Sequence, residues 1–596
     1  MNESLSQDQS EAAAFVFEPR LAASSAWQWV RRHVAELLCA FFVAVMSFNM
    51  LTVIARKSIT NDEIVMIPAA YYHLVSGDFQ VVNEHPPLPK IIAALPLLFI
   101  QPNEARSQDF PQTANPGERT WKIQEHFWRT NSQRLATISF WTRVPAIVLT
   151  AALGVLLFGV ARDLFGDRAA LFSVALFTFE PTLLAHGRVV QTDVPAAFGY
   201  LLLFYALRRH WLSPTWRSAV LLGLSAGLAL LAKYSMLISG PILAVYFLAL
   251  LKLAPSRSLS RNKVWSQAGI TLLTLLIVVN AAYFFQSRDL SMADAEWAAA
   301  AFPSSSEAVL ATIHTLAWIV PTDFVVGVFW QLWHSKQGHS ASLLGMFSQT
   351  GWWYYFPVAF ALKTTLPFLM LSLAAIVWGF YRTVFNRSQR VIFVLVPFVI
   401  YTVFVMLSSI NIGIRYYIPA FIFLFILAGA MLDHLLSLSS PRVMPALIIL
   451  ILGWSLVETA RAYPHYMSYT NQLASRAPNW YYLSDSNVEW GDDIRELADY
   501  LHARGETRVR GMLLGGFVTL NFYGVDYIDV LSPPDESTDT RYIAIGASFL
   551  NGSTVPNRLV NGQLQTETER VNTFEPFRHR APEAIFGGSI YLYRER

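Results

Sequence analysis

Residues 61–90 read NDEIVMIPAAYYHLVSGDFQVVNEHPPLPK and closely follow an apolar run at residues 35–55. The run has the roughly 20 apolar residues that a helix needs to cross a bilayer. The stretch after it opens on two adjacent acids and closes on an acid, a histidine, three prolines and a lysine. This order predicts a membrane helix followed by a polar loop that lies directly at one membrane surface.

The composition places the whole chain in the membrane class. Of its 596 residues, 54% are hydrophobic and 14% are charged, whereas a soluble domain usually carries about 25% charged residues. The net charge is +3 and the basic residues are spread over short loops, so a nucleic-acid partner is not indicated. Cys39 is the single cysteine, and an intramolecular disulfide is therefore excluded.

Apolar runs recur along the chain at lengths suited to membrane helices. Lys and Arg cluster in the short loops on one side of these runs, which predicts a cytoplasmic N-terminus. An odd number of spans then places the C-terminus on the outer face. We predict about eleven spans, at residues 35–55, 144–162, 168–187, 193–208, 218–233, 235–252, 265–285, 356–381, 391–409, 416–435 and 442–459.

The chain is predicted to divide into a polar leader at 1–34, a membrane domain at 35–459 and a polar tail at 460–596. The membrane domain includes two long outer loops, 56–143 and 286–355. In the tail, DDIRELADYLHAR is typical of an amphipathic helix, and VRGMLL, RYIAIGASFL and SIYLY are typical of strands. The expected fold is a polytopic α-helical membrane protein with a C-terminal periplasmic α/β domain. Its first span begins too late and runs too long for a cleavable signal peptide.

Asp62 and Glu63 lie a few residues beyond the first span. Acids held at a partly dehydrated membrane surface gain proton affinity, which suits a carboxylate to act as a base. The alternative is that the pair only caps a new helix. The same loop also carries Glu84, His85 and Lys90, with prolines that stiffen the backbone around them, and this concentration of polar groups favours a functional site.

Further charged residues are predicted on the same face. Asp193 begins the fourth span, where it could also be a plain helix cap. The cations Lys233, Lys363 and Arg415 lie within or beside later spans, and such cations are functional candidates, with snorkelling to lipid headgroups as the alternative. Together they predict a cationic pocket at headgroup depth that suits a lipid phosphate.

Several blocks of the sequence resemble the bacterial polyprenyl-phosphate-dependent glycosyltransferases of the GT-C superfamily. These enzymes are relatives of the protein O-mannosyltransferases and the lipid A aminoarabinose transferases. The resemblance covers roughly residues 35–505 and rests on NDE, GDFQVVNEHPPLPK, QTDVPAAFGYLLLFYAL, GLALLAKYSML, GWWYYFPVAFALKTTLP, NIGIRYYIPAFIFLFILAG, YPHYMSYTNQLA and YYLSDSNVEWGDDIREL. The tail departs from the pattern, since such an α/β module is not common to all of these relatives.

The resemblance implies transfer of a sugar from a polyprenyl-phosphate carrier to an acceptor hydroxyl on the outer face, by inverting displacement. Asp62 is then expected to be the general base, with Glu63 positioning it or the acceptor, and Asp193 to lie near the acceptor. The phosphate-binding role of Lys233, Lys363 and Arg415 is an inference from their charge. The acceptor class stays open between protein, lipid and polysaccharide.

A metal cofactor is not predicted, because the acids and His85 of the first loop lack a metal-ligand spacing. The expected location is the inner (plasma) membrane of a bacterium, in contact with membrane lipids. Two other functions remain open from the residues. A transporter or flippase of a lipid-linked precursor predicts charges midway along several spans, and a scaffold predicts no convergence of acids and cations at the surface.

Overall fold

The computed structural model describes residues 25–103, 109–110, 116–253, 259–438, 442–532, 540–560 and 562–595. Most of the predicted leader, residues 1–24, therefore lies outside the described residues. The first part of the chain forms helices α1 Ser25–Arg32, α2 Val34–Ile54, α3 Asn61–Ser76, α4 Pro87–Ala94, α5 Leu97–Ile100, α6 Pro116–Thr130, α7 Leu135–Phe165, α8 Asp167–Thr178, α9 Pro181–His186, α10 Asp193–Leu212, α11 Trp216–Ala232, α12 Ser239–Leu253 and α13 Arg261–Ala282.

The second part continues with helices and one short hairpin before the tail begins. Its elements are α14 Met292–Ala301, α15 Ser306–Leu316, α16 Thr322–Gln337, β1 Ala341–Leu343, β2 Met346–Ser348, α17 Tyr355–Lys363, α18 Leu366–Val384, α19 Gln389–Met406, α20 Ile418–Leu438 and α21 Val443–Ala462.

Within the described ranges, eight helical segments are long and apolar enough to cross a membrane. They are Val34–Ile54, Ser132–Phe165, Tyr234–Leu253, Arg261–Ala282, Leu366–Val384, Gln389–Met406, Ile414–Leu438 and Val443–Ala462. The predicted count of about eleven is not confirmed. The predicted span 168–187 is broken after the 12-residue helix α8, which is too short to cross a bilayer, and Pro181 begins the separate helix α9.

The predicted span 356–381 consists of two helices. α17 ends at Lys363 and α18 begins at Leu366, and the two threonines between them have extended backbone. Pro367 lies in the first turn of α18, where its missing N–H costs no helical hydrogen bond. Lys363 therefore lies at the end of a short helix, and not several residues inside a span as predicted.

The tail folds around a mixed five-stranded sheet. Its elements are α22 Asn479–Tyr482, α23 Ile494–His502, β3 Arg508–Met512, α24 Gly516–Phe522, β4 Asp526–Asp529, β5 Tyr542–Gly546, α25 Ala547–Leu550, β6 Leu559–Val560, β7 Gln563–Leu564, α26 Glu567–Val571, α27 Glu575–Arg578, β8 Ala584–Phe586 and β9 Ile590–Arg594. The strand order is β4-β3-β5-β9-β8. β3 runs parallel to β4 and β5, and β9 runs antiparallel to β5 and β8.

The fold class predicted from the sequence, a polytopic helical protein with a C-terminal α/β region, is confirmed. The amphipathic helix expected near residue 494 is α23, whose Ile494, Leu497 and Leu501 pack on the sheet. The tail also shares one apolar core with the membrane helices, because Tyr466, Trp490 and Ile545 belong to the same buried cluster as α2, α7, α10 and α20. The division of the chain at residue 460 stays a prediction.

Close helix packing brings α10 against α11 beside the candidate site. A Cβ atom added at Gly199 of α10 would lie 2.6 Å from the Ala229 Cα of α11. This distance is shorter than real Cβ contacts allow, so the two backbones approach this closely only because Gly199 has no side chain.

We therefore expect Gly199→Ala to destabilise the protein by about 1–3 kcal/mol, because the added methyl group forces the helices apart. Gly159→Ala is the matched control, since a Cβ at Gly159 in α7 meets nothing within 4 Å. Thermal unfolding of the two purified variants in the same detergent measures the difference. Equal midpoints for both variants would contradict the close packing of α10 on α11.

Candidate functional site

The start of α3 is fixed by a capping box. The Thr60 N–H donates to Glu63 Oε2 at 2.8 Å, and the Glu63 N–H donates to Thr60 Oγ1 at 3.4 Å. Glu63 also accepts from Arg143 Nε at 2.8 Å and from the Val190 N–H at 2.9 Å. Glu63 was predicted to position the base or the acceptor, but its side chain is fully buried and joins α3 to α7.

Asp62 lies beside Glu63 but faces a different environment. Arg415 Nη1 donates to Asp62 Oδ2 at 2.7 Å, and Trp490 Nε1 donates to Asp62 Oδ1 at 3.2 Å. Burial by itself would raise the pKa of Asp62, but the Arg415 guanidinium outweighs burial and the pKa is lowered. The Asp62 side chain keeps 29% of its surface exposed, so an ionised carboxylate remains accessible.

A second ion pair lies next to the first. Lys233 Nζ donates to Asp193 Oδ1 and sits 3.5 Å from the centre of the Tyr416 ring. His85 is close to both pairs: burial lowers its pKa to about 3, with the neighbouring charges of Lys90 and Lys233 adding to the shift. His85 is therefore neutral near pH 7. The structure thus brings Asp62, His85, Asp193, Lys233 and Arg415 together.

The other three predicted site residues are placed differently. Lys90 Nζ donates to the carbonyls of Val82 and His85, at 2.5 and 2.8 Å, and holds its own loop in shape. Lys363 Nζ donates to the Met467 carbonyl at 2.7 Å. Deep burial explains both contacts, because an ammonium without water must find protein acceptors. Glu84 is half-buried, and burial raises its pKa.

Arg188 and His186 are further polar groups near Lys233 and Arg415 that were not predicted as site residues. Arg188 pairs with Asp492 at 2.8 Å, while its Nε and Nη1, together with His186 Nδ1 and Arg415 Nε, find no partner among the described residues. The pKa of His186 is lowered by burial and then by four surrounding cations, Arg415, Lys363, Arg188 and Lys233. The sequence feature that could have indicated His186 and Arg188 is the polar block HGRVVQTD, which lies between two apolar runs.

The Asp62–Arg415 pair opens on a cavity of about 770 Å³. Its walls come from both the membrane part and the tail, and they include Asp62, His339, Ser340, Arg415, Asp485, Trp490, Ser553, Asn557, Glu567 and Arg570. A separate, narrower apolar cleft reaches His186, with Pro89, Ala93, Leu149 and Val194 in its lining. The buried cations thus have a polar cavity and an apolar cleft in their surroundings.

In the described part of the chain, one group of side chains has metal-ligand geometry: His465, Asp493 and Glu496, whose ligand atoms lie within 4.8 Å of one another. Lys57 Nζ contacts all three, at 2.7 Å from His465 Nδ1 and 2.7 Å from Glu496 Oε1, with Asp493 as the closest partner. The ammonium of Lys57 is therefore the counter-charge of this group. The expected absence of a metal cofactor stays a prediction.

A sequence profile of the family described as dolichyl-phosphate-mannose-protein mannosyltransferase matches residues 135–283, about a quarter of the chain. Over these residues the match confirms the predicted resemblance to the GT-C glycosyltransferases that use polyprenyl-phosphate donors. It supports a membrane glycosyltransferase with a lipid-linked donor. None of the curated proteins compared with the chain matches it. Bacterial origin stays a prediction.

Solved structures with a similar arrangement come from several organisms. The Archaeoglobus fulgidus oligosaccharyltransferase in its apo form is 11% identical, over 94% of this chain and 74% of that one, with a TM-score of 0.48. ArnT from Cupriavidus metallidurans bound to undecaprenyl phosphate is 15% identical, over 87% and 95%, with a TM-score of 0.43. The S. cerevisiae Pmt1–Pmt2 complex is 18% identical, over 42% and 33%, with a TM-score of 0.32.

Glu63→Gln should destabilise the protein by about 3–5 kcal/mol, because it leaves the Arg143 charge buried without its partner. Glu125→Gln removes the same charge from an exposed pair with Arg129 and should change stability by less than about 1 kcal/mol. Thermal unfolding in detergent compares the two. A Glu63→Gln midpoint as high as that of Glu125→Gln would rule out a structural role for the buried pair.

Proposed function

We propose that the protein is a membrane glycosyltransferase that moves a sugar from a polyprenyl-phosphate carrier to an acceptor hydroxyl on the outer face of the membrane. Asp62 is the general base, and the reaction is an inverting displacement. The observation that carries the proposal is the position of Asp62. Its carboxylate is ionised, accessible from a large polar cavity and bonded to a buried arginine.

The donor phosphate is expected to bind among the buried cations. Unpartnered nitrogens of Arg188, Arg415 and His186 offer hydrogen bonds that the described protein groups do not use. The buried guanidinium donors of Arg188 and Arg415 are costly unless a ligand satisfies them, and a phosphate fits their charge.

The displacement needs a base and a stabilised leaving group. The acceptor oxygen attacks the anomeric carbon and forms the new C–O bond, while Asp62 takes the hydroxyl proton. The bond between the anomeric carbon and the phosphate oxygen breaks, and the phosphate leaves with the electron pair. Arg415 and Lys233 are placed to stabilise the charge that grows on this phosphate. Asp193 orients Lys233 through their ion pair.

The acceptor enters from the cavity shared with the tail, whose polar walls suit a hydroxyl-bearing group of a protein, a glycan or a lipid headgroup. Positive charge in the short loops and the polar tail favour an orientation with the N-terminus in the cytoplasm and the tail outside. The setting proposed for the reaction is the outer face of a bacterial inner membrane.

Asp62→Asn should lower sugar transfer by about 100-fold or more, because it removes the base while nearly keeping the side-chain shape. Transfer is measured in membranes supplied with labelled polyprenyl-phosphate sugars and varied acceptors, and binding of undecaprenyl phosphate checks that the donor site is intact. Asp78→Asn is the control: Asp78 lies in the same loop but pairs with Arg119. Full transfer by Asp62→Asn would remove Asp62 from the mechanism. Failure of wild type with every donor would instead favour the transporter.

Arg415→Gln should move the acid limb of the pH profile of kcat to higher pH. With Arg415 present, the pKa of Asp62 is lowered, so the carboxylate stays ionised above this lowered value. Without Arg415, burial raises the pKa and protonates the base earlier on acidification, although His85 and Trp490 still face it. Single-turnover rates at saturating donor, from about pH 4 to about pH 8, measure the limb. An unmoved limb would contradict the assignment of Asp62 as the titrating base.

A further inference from the structure

Asp485 is a second carboxylate in the wall of the cavity that contains Asp62. Its backbone has φ +53°, in the left-handed region that side chains other than glycine rarely adopt. Asp and Asn are the residues that tolerate this region best, and such backbone geometry concentrates at functional sites. Asp485 begins the 3₁₀ turn Asp485–Asn487.

The turn is held rigidly from both sides. The Asp485 N–H donates to Ser548 Oγ at 2.8 Å, which ties the turn to the start of α25. Ser486 Oγ donates to the Ile412 carbonyl at 2.9 Å, and Asn487 Oδ1 accepts from the Ile414 N–H at 2.8 Å. These bonds tie the turn to the segment directly before Arg415, so Asp485 is positioned relative to the Asp62–Arg415 pair.

The carboxylate of Asp485 is only partly used by the protein. Oδ1 accepts from the Ser486 N–H at 2.6 Å, and no hydrogen bond reaches Oδ2 from the described residues. The side chain is half-buried. Burial raises the pKa of Asp485, and the charge of Asp62 adds to the rise. The nearby Arg415 and His339 act in the opposite direction but do not outweigh burial. The two carboxylates therefore lie near each other, and Oδ2 of Asp485 is left for a ligand.

Among the lining residues of the cavity are three acids, Asp62, Asp485 and Glu567, and two arginines, Arg415 and Arg570. Arg415 pairs with Asp62. Arg570 Nη1 donates to the Val555 carbonyl at 2.8 Å, and its guanidinium lies 4.9 Å from the centre of the Phe347 ring. The acids of the wall therefore exceed its arginines by one, and Asp485 and the exposed Glu567 lie in the wall that an acceptor would meet. Such a wall attracts positive charge and repels negative charge.

We propose that Asp485 binds the acceptor, accepting a hydrogen bond from a second hydroxyl or an ammonium group while Asp62 takes the proton of the reacting hydroxyl. The site then selects polyhydroxylated neutral or cationic acceptors over anionic ones. This inference rests on the proposed function and extends it to the class of acceptor.

Three small alcohols of similar size test the inference: glycerol, which is neutral, serinol, which is cationic near pH 7, and glycerate, which is anionic. Each is supplied at high concentration to purified protein in detergent with labelled polyprenyl-phosphate sugars, and hydrolysis of the donor by water is followed in parallel. The variant is Asp485→Asn, because asparagine also tolerates the left-handed region. Asp499→Asn, on an exposed position of α23, is the control for loss of one negative charge from the tail.

We expect wild type and Asp499→Asn to prefer serinol and glycerol to glycerate. Asp485→Asn should lower the ratio of serinol to glycerate transfer by about 10-fold, with unchanged binding of undecaprenyl phosphate. A purely structural role of Asp485 would lower all transfers and hydrolysis together and leave the ratio of serinol to glycerate transfer fixed. This result would overturn the inference about the acceptor but not the proposed function. Wild type that binds no undecaprenyl phosphate and transfers to none of the alcohols would overturn the proposed function with it.

Discussion

The ion pair between Asp62 and Arg415 is the interaction around which the candidate site is arranged. The guanidinium of Arg415 outweighs the effect of burial on the Asp62 carboxylate, and it is stacked in turn on Trp490, 4.2 Å from the ring centre. The capping box at Thr60 fixes the first turn of α3 and so the direction of Asp62. Arg415 in turn follows directly after the segment to which the turn at Asp485 is bonded.

The tail is part of the site and not an appendage. The Ser58 N–H donates to the Asp492 carbonyl at 2.9 Å, and the Asn61 N–H donates to the Trp490 carbonyl at 2.7 Å, so the residues before α3 are bonded to the tail along the backbone. The tail also supplies Trp490 to Asp62 and closes one side of the cavity. A protein without its tail would therefore lose one wall of the cavity and also the hydrogen bonds that hold Asp62 and the residues before α3.

Much of the fold and part of the site could be predicted from the sequence. Long apolar runs and the tail's alternating patterns depend on local sequence, as do polar residues at the ends of spans such as Asp62, Asp193 and Arg415. Lys363 was predicted to bind phosphate, and its contact with the Met467 carbonyl, 104 residues away, could not be seen in the sequence. The phosphate-binding role of Lys363 stays a prediction. The pairing of Glu63 could not be seen in the sequence either, because its partner Arg143 lies 80 residues further along the chain. Such long-range contacts decide whether a charged side chain is paired within the protein or free to bind a ligand, and a local sequence pattern does not reveal them.

The group formed by Lys57, His465, Asp493 and Glu496 has a consequence for how the molecule is assembled. Three side chains that resemble the ligands of an ion converge on an ammonium that belongs to the chain itself. The positive charge that joins the end of the first membrane helix to the tail is thus a side chain of the protein itself, and every molecule carries it. The counter-charge of these three side chains therefore does not depend on cations in solution.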